Sequence, residues 1–436
     1  MDTNTSLGTG SLLNNTGENN SSVGYYSLFS NTVAKSNTAL GSNALYYNTT
    51  GAYNSAIGAG TMCNNQTGSL NTAVGSNALE GDQNNTSVGN FNVAVGAQAL
   101  FKNCGGYNTA VGTYALKENT NGVCATPIMG EEFFPANTAV GFASLENNTS
   151  GVFNTASGVI SMNQNTTGYQ NVAVGAASME NNTTGFNNTA VGAASLRVNT
   201  IGEENTAFGA ASLEQNTIGD YNIGVGSATL RYNETGNSNT AIGYHALKNQ
   251  SASYNTAIGY EAGLNNTTGE FNTYVGIQAD LIGPTQYSRS TAIGYQAKIT
   301  ASNQIVLGTT SEYVSIPGNC SATSFTTTSD YRIKENVETL TYQSVDKLRP
   351  VTYLNKLTGK QDIGLIAHEL QEIYPEMVCG EKDGEKNQAV NYLGLIGVLI
   401  NEIQNLKIRI NKIENENEIK MKLDSTNGEI SNKYDK

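Results

Sequence analysis

From residue 4 onward a glycine returns at nearly fixed intervals. It closes the motif Asn-Thr-Ala-Val/Ile-Gly, and the series runs from Gly8 to Gly308 with most intervals 17 residues long. One full unit reads Asn188-Thr-Ala-Val-Gly-Ala-Ala-Ser-Leu-Arg-Val-Asn-Thr-Ile-Gly-Glu-Glu204. A period this short cannot hold a helix-turn-helix repeat but suits one coil of a β-solenoid, in which each repeat touches only its neighbours. Val or Ile of the Ala-Val-Gly step and Leu of the Ala-Leu or Ser-Leu step are the expected inward side chains, one per short strand. Gly and the Asn-Thr-Thr-Gly segments are the expected corners. Glycine takes positive φ without steric cost, while Asn and Thr can hydrogen-bond the turn backbone and form ladders from coil to coil. About eighteen coils at a strand spacing of about 4.8 Å predict a rod on the order of 85 Å long. A coil this thin buries little by itself, which favours three chains around one axis.

Two intervals break the period. Between Gly112 and Gly141 twelve extra residues, including Cys124, Pro127, Phe133, Phe134 and Pro135, predict a protruding surface loop, and Gly75 to Gly96 has four extra.

Near residue 329 the composition changes. Before it lie 8 Lys and Arg and 18 Asp and Glu in 328 residues; from it onward 108 residues carry 15 and 18. The first part is thus a weakly charged repeat and the second an ordinary charged, helix-containing domain. The net charge of -13, mostly from the repeats, and the lack of a Lys/Arg cluster there exclude a phosphate-following surface, so no nucleic-acid partner is expected. Cys63, Cys104, Cys124, Cys320 and Cys379 have no CxxC spacing and only His245 and His368 could join them, so no metal and no cofactor are expected and the thiols read as free. The first residues lack the basic and apolar regions of a secretory signal, and the apolar run 393–400 is far below the ~20 residues of a membrane helix, so no membrane insertion is expected. The acidic residues are too sparse for calcium-binding repeats, and no carboxylate pair marks a glycosidase.

The junction itself reads Thr327-Thr328-Ser329-Asp330-Tyr331-Arg332-Ile333-Lys334-Glu335-Asn336-Val337. It resembles the Ser-Asp-x-Arg-Leu-Lys-x-Asn-Ile signature that opens the intramolecular chaperone domain of phage tail spikes, tail fibres and endosialidases, found also in the myelin regulatory factor family. Ile333 and Val337 depart from the usual Leu and Ile. Two later segments add to the resemblance: 362–378, a strand and amphipathic helix closed by Tyr374-Pro375, with His368 where Gln is common, and Val390-Asn391-Tyr392 ahead of a last helix. The resemblance implies a self-cleaving serine endopeptidase acting only on its own chain, with Ser329 as nucleophile, Lys334 as base, the scissile bond between Thr328 and Ser329, and Asp330, Arg332 and Asn336 as supporting groups. It also implies a domain that helps three chains fold together before it is cut away. His368 reads as a helix-surface or interface residue.

Residues five apart do not share a face of a helix or a strand, so either the chain bends between Ser329 and Lys334 or the lysine serves a neighbouring protomer's serine. A free lysine, of pKa about 10.4, is protonated at neutral pH and becomes a base only when desolvated or set beside another cation such as Arg332. In the last helix Ile396, Ile403 and Ile410 are seven apart, as are Leu399, Leu406 and Ile413, an a/d seam of about three heptads.

The repeats resemble the β-roll heads of trimeric autotransporter adhesins, with a longer coil. The expected architecture is therefore a mostly β chain: a trimeric parallel β-solenoid over 1–310, a linker over 311–328, and a small α+β chaperone domain over 329–436 with a coiled-coil helix near 392–423. The function implied is that of a viral or phage fibre or spike, carried on the virion and directed at a host receptor or glycan. A cell-surface adhesin-like trimer with the same processing domain is the alternative.

Overall fold

The computed structural model describes residues 3–82, 88–120, 136–312, 314–316, 320–324, 328–340, 345–356 and 358–434. It divides into two compact units, Met1–Asn319 and Cys320–Lys436. The loop expected at Cys124 to Pro135 and the break at Pro317 to Asn319 lie outside the described residues.

The first unit is a β-solenoid. Three-residue strands, from Thr5–Leu7 to Ile305–Leu307, stack into one parallel 18-stranded sheet. Successive coils align position for position, Thr189 beside Val172, Ala190 beside Ala173 and Val191 beside Val174. The twelve-residue insertion leaves this alignment intact, since Thr109 pairs with Thr138 and Val111 with Val140.

Which side chains fill the coil differs from the sequence expectation. In most strands the middle residue faces inward and is Ala: Ala156, Ala173, Ala190 and Ala207 are wholly buried. Alternation along a strand then turns the flanking Thr and Val or Ile outward, and Val174 and Ile242 remain 38% and 39% exposed. Leu does face inward, as in Leu196 and Leu213, but from a wide turn with left-handed φ of 48° and 51° and not from a strand. The coil is too narrow for two large aliphatic side chains across from each other.

Asparagine fills the rest. Asn199 donates through Nδ2 to Asn182 Oδ1 of the coil before (2.8 Å) and to Gly202 O of its own corner (3.0 Å), and accepts from Asn216 of the next coil (2.9 Å). A second column runs through Asn171, Asn188 and Asn205. Asn188 binds Asn171 Oδ1 through both its backbone N–H and its amide, and reaches Gly202 O at 2.8 Å. All these asparagines are fully buried, and their amides are satisfied because each coil supplies what the next one lacks. Gly192, at φ 134°, shows why glycine marks the period: a Cβ there would lie 2.5 Å from Gly209 O of the adjacent coil.

Departures from the repeat compensate one another in volume. Gly263 replaces the inward Leu, and Tyr274 of the next strand replaces Ala and occupies that space; a Cβ on Gly263 would lie 2.8 Å from the Tyr274 ring. Outside the core, corner aromatics stack between coils, Tyr169 on Phe186 at 4.8 Å and Tyr254 on Phe271 at 4.9 Å.

The second unit is small. Val351–Leu354 and Gln361–Gly364 form an antiparallel pair, followed by helix α1 (Ala367–Gln371), a 3-10 turn Pro375–Met377, and a second antiparallel pair of Val378–Cys379 with Ala389–Val390. Helix α2 spans Leu395–Tyr434. It starts a few residues later than the sequence suggests because Asn391 first makes a turn, its side chain accepting from Gly394 N–H at 3.1 Å. Leu370, Tyr374, Val378, Leu395 and Val398 form the core. Beside it Leu348, Pro350, Ile363, Leu365, Tyr392 and Leu399 line an apolar groove of about 530 Å³.

Candidate functional site

Ser329 Oγ and Lys334 Nζ are 2.7 Å apart, the ammonium donating to the hydroxyl. A single 3-10 turn, Tyr331–Ile333, produces the required bend. Within it Ile333 N–H donates to Asp330 O at 3.3 Å and Lys334 N–H to Tyr331 O at 3.1 Å. The turn reverses the chain just enough to bring the fifth residue's side chain back over the first, and Lys334 leaves it in extended conformation.

Asp330 makes the turn possible. Its Oδ1 accepts from the backbone N–H of Arg332 at 2.9 Å, the N-cap interaction that Asp favours. The same carboxylate grips the Arg332 guanidinium through two bonds, Nε to Oδ1 at 2.9 Å and a terminal nitrogen to Oδ2 at 2.6 Å. These bonds to Arg332 hold the Asp330 carboxyl below the usual carboxylate range and raise Arg332 above its own. Arg332 is thus engaged by Asp330, where the sequence offered it as the cation beside the lysine. An Asp two residues ahead of an Arg, with a turn between them, was the signal for this arrangement.

Thr328 and Ser329 are exposed, and so is the whole of 331–340. The apolar side chains there are open: Tyr331 is 82% exposed and Val337 78%. Asn336 has left-handed φ of 52°, a conformation Asn tolerates better than most residues, and it redirects the chain after the site. His368 lies half-buried in the first turn of α1, whose Glu369 pairs with Arg349.

Among the described residues no group of His, Cys, Asp and Glu is arranged to hold a metal ion, and no helix is long and apolar enough to cross a membrane. Cys63, Cys104, Cys320 and Cys379 form no disulfide; burial pushes the Cys63 thiol up to about 11. Cys124 lies outside the described residues.

No curated protein matches the chain. Residues 329–379, from the serine of the turn to the end of the strand Val378–Cys379, match the model of a peptidase family described as the chaperone of endosialidase, and the long β-solenoid precedes them.

Proposed function

We propose that the chain is a viral or phage fibre or spike protein whose C-terminal unit guides trimer assembly and then cuts the chain between Thr328 and Ser329. The observation that carries this reading is the 2.7 Å contact of Ser329 with Lys334 at the first residues of the segment that matches the chaperone of endosialidase family.

The chemistry follows from those two side chains. Lys334, as the neutral amine, takes the hydroxyl proton while Ser329 Oγ bonds to the carbonyl carbon of Thr328. The tetrahedral intermediate collapses with loss of the C–N bond. The proton held by Lys334 passes to the departing Ser329 nitrogen, which becomes the new amino terminus. Thr328 is then an ester on Oγ, and water hydrolyses it to a free carboxylate and regenerates the hydroxyl. A solvated ammonium cannot begin this sequence. The open Tyr331, Ile333 and Val337 around the site therefore give assembly its part: copies packing against them remove water from the lysine and favour its neutral form.

Two surfaces support a homotrimer. The Val and Ile column on the outer face of the sheet and the Ile and Leu seam of α2, with Ile396, Ile403 and Ile410 about half exposed or more, leave apolar area open in one chain. A host receptor or glycan is the partner such a fibre would take. The exposed Tyr25 and Tyr47, in one ring cluster with Tyr26, Phe29 and Tyr46, are a prominent aromatic surface for it.

A denaturing gel with intact-mass analysis tests the reading. Wild type should give two fragments, the second beginning at Ser329. Ser329→Ala and Lys334→Ala should each give one uncut chain of unchanged oligomeric size. Cleavage in either variant removes the dyad.

A further inference from the structure

We propose that Asp330 is the positioning residue of the self-cleavage site, acting through both the turn it caps and the guanidinium it neutralises. This rests on the self-cleavage reading and adds to it a residue that touches neither the scissile bond nor the attacking oxygen.

Three contacts of one carboxylate carry the inference. The bond from Arg332 N–H to Oδ1 fixes the start of the turn, and the turn's end is the backbone N–H of Lys334 on Tyr331 O. Capping at Asp330 is thereby coupled, over a single turn, to the direction in which Lys334 leaves the backbone. The remaining two contacts hold Arg332 in a two-point grip. A two-point carboxylate pair of this kind is planar and directional, so the arginine's charge is drawn to Asp330. Lys334 remains the cation in contact with Ser329.

Lys334 is exposed, and the charged groups of its own segment are Asp330, Arg332, Glu335 and Glu338. Asp330 and Arg332 cancel as a pair. Removing one member alone leaves a net charge beside the base, and the sign of that charge decides which way the reaction's pH dependence moves. Asp330→Asn keeps an oxygen to accept the Arg332 N–H but frees a guanidinium, which disfavours a second cation nearby. Arg332→Gln leaves an unpaired carboxylate, which favours the lysine's charged form.

The experiment uses the full chain made by cell-free synthesis, moved into buffers between about pH 6 and 9.5 and followed on timed denaturing gels. Asp330→Asn should shift the midpoint of the pH–rate profile down by about half a unit to one unit, and Arg332→Gln should shift it up by a similar amount. The double variant should return the midpoint to that of wild type at a lower plateau. Asp330→Ala, which also loses the cap, should lower the plateau about 10- to 100-fold. A purely structural role for Asp330 would lower plateaus without opposite shifts. Midpoints that stay fixed, or move in the same direction, overturn the proposal. If Asp330→Ala does not assemble, the Asn and Gln variants still decide. A wild type that is never cut would instead remove the self-cleavage reading, a different outcome from a cut wild type with indifferent variants.

Discussion

The two units of this chain bury side chains in opposite ways. In the solenoid most coils close over their own Ala, Leu or Met and paired Asn, many of them wholly buried, and the hydrogen bonds of those amides run into the next coil. Among the described residues the C-terminal unit has a core of five buried apolar residues, while Tyr331, Ile363 and Ile413 are exposed. One unit repeats its interior from coil to coil, the other has a small core with no repeat. A stack of near-identical coils has no internal means of choosing register when copies meet, because neighbouring coils present the same residues at the same places, as Thr109 and Val111 do beside Thr138 and Val140. The C-terminal unit is unrepeated, and under the proposed function it would supply a single alignment.

Deleting residues 329–436 from the gene should break this division of labour most severely. The array expressed as 1–328 should appear in light scattering as monomer or aggregate, whereas the same residues left by cleavage after assembly should remain a stable trimer. A soluble trimer from the short gene, as heat-resistant as the cleaved protein, would mean that the array finds its register unaided. Cutting the guide away after assembly would also make the product's persistence kinetic, since the unfolded array could not return by the same route.

A second test compares one glycine from each unit. Gly192→Ala places a Cβ 2.5 Å from Gly209 O at φ 134°, where backbone in the next coil must move. Strained φ and a backbone clash together should cost at least about 3 kcal/mol, seen as loss of amide protection in the adjoining coils. Gly359→Ala, at φ 66° with nothing near the added Cβ, should cost only about 1 kcal/mol. Equal losses would show that coil-to-coil contact is not what the repeat glycines serve.

Much of this contrast was legible in the sequence. The 17-residue period fixed the coil, and the change in charge density near residue 329 marked a different kind of domain. The inward face was read wrongly because Val and Ile are the larger apolar residues of the motif. Size argues for the core only where there is room, and in a coil this narrow Ala fits while Val191 and its neighbours turn out. Asparagine was recognised as a corner and ladder residue, but not as core, since burying an amide is costly unless a partner waits at a fixed place. Exact repetition supplies that partner, and single-residue propensity carries no trace of it. At the junction the residue types were visible in the string, while the 3-10 turn was not: it depends on Asp330 bonding to the backbone of Arg332, a local choice that competes with extended chain.

The most direct probe of the polar core is Asn199→Ala, set against an outward substitution expected to have the smallest effect in the series. The substitution removes two donations, to Asn182 Oδ1 and Gly202 O, and the acceptor of Asn216. Gly202 O keeps its bond from Asn188 at 2.8 Å, so only the two amides of the column lose a partner. Buried groups left unsatisfied, offset by a smaller side chain that needs less solvation, place the loss at about 2 kcal/mol. The outward Val174→Ala, in the same array, should cost about 0.5 kcal/mol in the isolated coil, since that side chain is already partly in water. Amide exchange across the coils at 182 and 216 should rise for the first variant and stay near wild type for the second. If Val174→Ala proves the more damaging, the outward column is covered in the assembled protein, and stability passes from the ladder inside each coil to the contact between chains.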